Sequence, residues 1–106
     1  MTTFDKREEG FEKKFAVDEN LKFKSIARRN RLFGQWVAEK LGKSGDERDA
    51  YAKEVVAAEI DGGEAAVASK IAADLAAKGS TITEADIKAK LDEFLAVAVA
   101  QVKAGT

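Results

Sequence analysis

Residues 18–42 read Asp-Glu-Asn-Leu-Lys-Phe-Lys-Ser-Ile-Ala-Arg-Arg-Asn-Arg-Leu-Phe-Gly-Gln-Trp-Val-Ala-Glu-Lys-Leu-Gly. At 100° per residue, Phe23, Ile26, Phe33, Val37 and Leu41 fall near one face, with Trp36 beside it. The spacing predicts a helix of about 24 residues, roughly 36 Å long, and Gly42 is placed to end it in a left-handed cap. An amphipathic helix of that length needs partners of similar length, so the rest of the chain is read for them.

Three more periodic stretches follow, each bounded by glycine. Ser44-Gly45-Asp46-Glu47 has the spacing of a capping box and opens a helix offering Tyr51, Val55 and Ala58 before Gly62. Asp61-Gly62-Gly63-Glu64 repeats the spacing and opens another, carrying Val67, Ile71 and Leu75 up to Gly79. The last begins at Thr83, with Asp86 three residues on, and Ile82 and Ile87 have the spacing of a hydrophobic staple. Its stripe is Ile87, Leu91, Phe94, Ala98 and Val102, widened by Leu95 and Val99. Connections this short force neighbouring helices antiparallel. The expected fold is all-α, an up-and-down four-helix bundle with helices at about 18–41, 46–60, 63–78 and 83–104. Residues 18–106 form the bundle domain, and residues 1–17 stand apart from it.

Composition agrees and narrows the chemistry. The chain has no proline, cysteine or histidine, and 35% of it is charged. Without cysteine there is no disulfide, thiol nucleophile or thiolate metal site. Without histidine there is no imidazole base or ligand. Ser80, Thr81 and Thr83 have no base partner and read as turn and cap residues. The acidic pairs Glu8-Glu9, Asp18-Glu19 and Asp92-Glu93 are adjacent rather than three or four apart, so they make poor metal clamps. The expectation is a protein that is not an enzyme and needs no cofactor or metal. No stretch reads as a secretory signal or a membrane span, which predicts a cytoplasmic protein that is not membrane-inserted.

The amino-terminal segment is different in kind. Phe4, Phe11 and Phe15 fall within about 40° of one another on a helix, yet everything off that stripe in residues 5–14 except Gly10 is ionised. The stripe is not continued into the first long helix, because Asp18 and Lys22 occupy its angular position. A segment of about 17 residues does not hold a helix in water unaided. It is expected to be mobile in the free protein and to form helix on binding, its aromatic edge entering a partner's groove. The alternative is that the three rings fold back and cap the bundle's own core.

Charge is distributed in three blocks. Residues 1–19 sum to −2, residues 20–45 to +6 and residues 46–106 to −5. The middle block centres on Arg28-Arg29-Asn30-Arg31, with Lys22 and Lys24 upstream. It reads either as an anion site, for a nucleotide phosphate or an acidic protein face, or as the solvated side of the first helix. No aromatic residues are interleaved for base stacking, so nucleic acid is not an expected partner.

The run Phe4-Asp5-Lys6-Arg7-Glu8-Glu9-Gly10-Phe11-Glu12-Lys13-Lys14-Phe15-Ala16, followed by Asp18-Glu19, Phe23, Ala27-Arg28-Arg29-Asn30, Leu32, Gly34, Trp36 and Ala38, resembles the zeta-type ATPase inhibitor subunit of alphaproteobacterial ATP synthases. The likeness is dense over residues 4–42 and looser beyond. It implies a regulatory inhibitor of ATP hydrolysis whose amino-terminal segment inserts into a catalytic interface of the rotary head and blocks rotation. The implied partners are the alpha, beta and gamma subunits of that head, with the inhibitor monomeric when free and held peripherally at the inner membrane through the synthase. Carried over position by position, the inhibitory residues are Phe4, Asp5, Arg7, Glu8, Phe11, Glu12, Lys14 and Phe15. Lys24, Arg28, Arg29, Asn30 and Arg31 form a secondary docking or anion-binding element, where a weak nucleotide site is the alternative function. Val17 stands where many members have histidine and Gly10 where alanine is common, departures that bear on pH response and potency.

Overall fold

The computed structural model describes residues 19–105, and these form three helices: α1, Glu19–Lys40; α2, Gly45–Ala77; and α3, Glu84–Ala104. Each helix has ends that its sequence supports. Helix α1 carries Glu19 in its first turn and Lys40 in its last, both placed to favour the helix dipole. It closes with the Gly42 amide on the Glu39 carbonyl at 3.1 Å and the Lys43 amide on the Ala38 carbonyl at 2.9 Å, the paired bonds of a Schellman motif. Helix α2 closes the same way, the Gly79 amide reaching Ala76 at 2.9 Å and the Ser80 amide reaching Leu75 at 3.0 Å. At the start of α3 the Thr83 hydroxyl accepts from the Asp86 amide, and the Asp86 carboxylate accepts from the Thr83 amide, each at 3.1 Å.

Two expectations about the helices themselves need correction. The helix count is three, not four: the segments expected at 46–60 and 63–78 are the two limbs of one 33-residue helix. Only Gly63 leaves helical geometry within it, at φ 73°, ψ −164°. That single residue reverses the chain. In a straight helix Tyr51 and Asp74 would lie about 34 Å apart, yet the Tyr51 hydroxyl donates to Asp74 Oδ2 at 2.7 Å. Lys70 Nζ reaches Glu54 Oε1 at 3.0 Å in the same way. The limbs are therefore antiparallel, joined by one glycine rather than a loop. The second correction concerns Ser44, whose side chain makes no capping hydrogen bond. Gly45 follows it at φ 56°, so the helical geometry that a capping box requires from its first position is not set up.

The core lies where α1 meets both limbs and α3. Phe33, Val37 and Leu41 pack with Tyr51, Val55, Val67, Ile71 and Leu75 of α2 and with Ile87 and Leu91 of α3. Helix α1 is the central element, packing extensively on both other helices, while α2 and α3 touch each other little. Its closest approach to α2 is at Gly34, where an added Cβ would sit 2.8 Å from the Ala52 Cα. Only a residue without a side chain permits that approach. Ile82 packs against the core ahead of buried Ile87, as the staple spacing predicts.

Phe23 departs from the expected stripe: it is 69% exposed. Its angular position is that of Leu41, so it faces the right way. It lies too far along the axis. Arg29 pairs with residues on both sides of the Gly63 bend, so the bend of α2 lies at the level of Arg29. Phe23 comes six residues earlier, about 9 Å further along the axis.

Candidate functional site

The residues assigned to inhibition by resemblance, Phe4, Asp5, Arg7, Glu8, Phe11, Glu12, Lys14 and Phe15, lie outside the described residues. So do Val17 and Gly10. What the structure does describe is the end of the bundle from which that segment departs, comprising the first turns of α1, the bend of α2 and the carboxyl end of α3.

The basic block divides here into two groups. Arg29 and Asn30 face inward, 4% and 0% exposed. Arg29 Nη2 meets Glu59 Oε1 at 2.8 Å and Nη1 meets Glu64 Oε1 at 3.1 Å. The Asn30 amide donates to the same Glu59 oxygen at 3.0 Å, and its own oxygen accepts from Arg29 Nε at 3.1 Å. Glu59 and Glu64 stand on either side of Gly63, so one guanidinium from α1 ties both limbs of the bent helix together. A planar fork with five donors suits this task and an ammonium would not. The desolvation of Arg29 is compensated by two carboxylates and an amide, as a buried charge requires.

The second group faces outward. Lys24, Arg28 and Arg31 line a groove of about 500 Å³ whose other walls are Ala27 of α1, Val56 of α2, and Val102 and Gly105 at the end of α3. Arg28 Nη1 lies 3.5 Å from Gln101 Oε1, which steers its guanidinium along the α3 side. Three cations over an apolar floor make a surface for anionic groups attached to apolar ones. The carboxyl end of α3 is at the rim, and its free carbonyls carry partial negative charge. That weakens the pull on a small anion close to Gly105 while favouring the cations themselves.

Away from this end, the charged groups do structural work. Tyr51, Glu54, Lys70 and Asp74 bind the two limbs of α2 across their middle, and Lys70 Nζ also sits 4.9 Å from the centre of the Tyr51 ring. Burial, then the hydrogen bond to Asp74, push the Tyr51 hydroxyl well above its ordinary range. Burial pulls the Lys70 ammonium down, but hydrogen bonds to Glu54 and Asp74 outweigh it and leave it raised. Backbone and hydroxyl hydrogen bonds from Thr83 hold the Asp86 carboxyl below its usual value. None of these groups faces the basic groove.

The geometry describes a small bundle offering a cationic, partly apolar end beside an exposed phenylalanine. A family model described as ATPase inhibitor subunit zeta matches residues 1–101. The chain belongs to that family. No curated protein matches the chain. The zeta match includes the whole amino-terminal segment, α1, α2 and α3 as far as Gln101, so the resemblance seen in residues 4–42 extends into the bundle. An ATPase-inhibitor family is a regulatory one and implies association with ATP synthase, not catalysis by this chain. No helix among the described residues is long and apolar enough to cross a membrane.

Three residues at this end differ from the sequence expectation, Phe23, Arg29 and Asn30, the last expected with the docking group and fully buried in the clamp instead. Phe23, expected in the core, is instead a large exposed ring near the start of α1. Arg29 was placed with the outward cations, although its helical position, one turn from Phe33, puts it on the buried face.

Proposed function

We propose that this chain inhibits ATP hydrolysis by ATP synthase by inserting residues 1–17 into a catalytic interface of the rotary head. In this reading Phe4, Phe11 and Phe15 supply the apolar edge that orders on binding, and Asp5, Arg7, Glu8, Glu12 and Lys14 pair with the crevice walls. The observation that carries it is the family match over residues 1–101, which spans the charged aromatic segment as well as the bundle. The exposed Phe23 supports it, because it offers a further apolar ring for a partner near the start of α1, separate from the Phe4, Phe11 and Phe15 stripe. Burial of three phenylalanines is worth roughly 5–9 kcal/mol gross, and ordering the segment consumes several of those. Docking of the bundle through Lys24, Arg28 and Arg31 on an acidic face of the head supplies the remainder. The free protein is a monomer in this account, and its location at the membrane follows from the synthase.

The test is deletion of residues 1–17. The truncated chain keeps every described core contact and is expected to fold with unchanged helicity. It should no longer inhibit ATPase turnover of the isolated head. Undiminished inhibition by the truncated protein refutes the assignment.

A second reading has one observation in its favour: Lys24, Arg28 and Arg31 share a single groove with an apolar floor, which suits a nucleotide. Titration with ADP that leaves the amide signals of residues 24–31 unmoved disposes of it.

A further inference from the structure

We propose that the pocket beside Trp36 is a second protein-docking site, which takes an acidic segment of a partner carrying one bulky apolar side chain. The pocket is about 370 Å³ and is formed by Trp36 and Lys40 of α1, Leu75 near the end of α2, and the turn through Lys78, Gly79, Ser80 and Ile82. Its floor is apolar, being the Trp36 ring, Leu75 and Ile82. Its rim is cationic, and no carboxylate lines it. Lys40 Nζ lies 5.1 Å from the Trp36 ring centre and Lys90 Nζ 5.4 Å from it, so ammonium groups from two helices converge on one indole. Lys90 also pairs with Glu93 at 3.1 Å. Lys40 and Lys78 have no carboxylate partner among the described residues.

The pocket is held in shape from beneath and from the side. Trp36 stacks on Phe33 at a centroid distance of 5.7 Å and an interplanar angle of 16°, and lies 6.2 Å from Phe94. Phe33 is fully buried, which fixes the ring against the core. The turn is pinned by the Ser80 amide on Leu75 at 3.0 Å and the Ile82 amide on Ser80 Oγ at 3.2 Å. A rigid aromatic floor requires little ordering on binding, which is the condition under which a small contact yields useful affinity.

Charge and size choose the occupant. An apolar floor of this volume accommodates one large side chain, and lysines at its rim select carboxylates flanking that side chain. A short acidic segment meets the Lys40 and Lys78 ammonium groups with its apolar side chain on the floor. Trp36 lies about 26 Å along α1 from Glu19, so this site is at the far end of α1 from its first turn. It does not rest on the insertion reading, and its assay reads the pocket alone.

The chain has one tryptophan, so its emission reports this site without labelling. The probe is the synthetic peptide acetyl-Asp-Glu-Phe-Glu-Asp-amide, titrated into the full-length protein at low salt. Saturable change in Trp36 emission is expected, with NMR shifts at Leu75 and Ile82. The response should fall at least several-fold when the peptide's phenylalanine is replaced by alanine, a change that leaves the protein untouched. Lys40→Glu with Lys78→Glu should weaken binding about 10-fold, each lysine accounting for a factor of about 2–5, with circular dichroism unchanged. Absence of a saturable response up to millimolar peptide overturns the proposal. So does an equal response to a peptide with lysines in place of the acids. Displacement of the peptide from these same residues by ADP would make the pocket a small-anion site, and Trp36 shifts that track protein concentration alone would make it a self-association surface. Either result also overturns it.

Discussion

Replacing Gly63 with alanine tests the reversal of α2 at the one residue that makes it. Gly63 has φ 73° and ψ −164°, a region that L-residues with a Cβ essentially do not occupy. Space is not the obstacle, since the nearest atom to an added Cβ is Glu59 Oε2 at 3.9 Å. The cost is therefore backbone strain, about 1–3 kcal/mol, offset by about 0.4–1 kcal/mol from the smaller freedom of the unfolded chain. A net loss of about 1–2 kcal/mol lowers the Tm of a domain this size by roughly 5–15 °C. The mirror-image residue separates strain from packing. D-alanine in place of Gly63 finds the same dihedrals within its own extended region and should leave Tm unchanged or raise it. Thermal unfolding followed at 222 nm checks both variants. A Gly63→Ala protein melting within 2 °C of the parent, or equal losses from the two enantiomers, refutes the claim that this backbone conformation is what folds α2 back.

Arg29→Ala leaves Glu59 and Asn30 without their main partner, and a broken buried pair costs about 3–5 kcal/mol. Because Glu64 is 47% exposed, its share is small and the lower end is expected, read as a shift in urea midpoint. Ser25 Oγ is buried without a hydrogen-bond partner among the described residues, so Ser25→Ala should be neutral or stabilise by about 1 kcal/mol in the same assay. The raised Tyr51 hydroxyl binds its proton more tightly in the folded state, so its contribution is complete below the unfolded value of about 10 and is lost as pH rises above it. Tyr51→Phe should flatten that alkaline decline in Tm. Asp86 has the opposite sign: its lowered carboxyl contributes above the ordinary carboxylate range and loses that contribution as pH falls through its folded value. Asp86→Asn should therefore reduce the loss of Tm between about pH 5 and 2. Phe23→Ala should leave Tm within about 2 °C, because the ring is largely exposed, yet reduce ATPase inhibition severalfold.

Glycine punctuation and helical periodicity made most of the fold legible before any coordinates. Gly42 and Gly79 end helices where the apolar pattern stops, and the Thr83–Asp86 cap forms with both of its hydrogen bonds. The adjacent Gly62 and Gly63 marked a break correctly but not its kind. Two glycines between periodic stretches fit a loop or a one-residue reversal equally well, and only the dihedrals of Gly63 distinguish them. Periodicity also reports direction without depth. Phe23 shares the angular position of Leu41, and nothing local says that α2 turns back before reaching it. The charge run failed for a related reason. Arg28, Arg29 and Arg31 are alike in composition, but helical geometry turns Arg29 and Asn30 inward and Arg28 and Arg31 out. That much was available from the position of Phe33, whereas the carboxylates that make burial tolerable come from 30 and 35 residues away.

On the proposed insertion, the clamp and residues 1–17 are connected by the architecture of α1. If those residues wedge a moving interface, the load passes to α1, which follows them in the chain. Helix α1 is the one element packed extensively on both others, so load entering at Glu19 would spread into α2 and α3 together. The Arg29 clamp lies less than three turns from that point and holds both limbs of α2. Without it, the bend at Gly63 would rest on a single non-helical residue with an unpaired carboxylate on each side, Glu59 mostly buried and Glu64 half-exposed. A buried arginine is an expensive way to join two limbs in a resting protein, since apolar residues of similar volume pack at least as stably. Its advantage is directional: a bidentate guanidinium resists sliding of one limb past the other, which an apolar contact does not. The joint replacement Arg29→Met, Asn30→Leu and Glu59→Leu leaves no buried partner of the clamp unpaired and therefore separates the two roles. It should retain or raise thermal stability while weakening inhibition by the intact chain. Unchanged inhibition by the stably folded triple variant would reduce the clamp to a folding device.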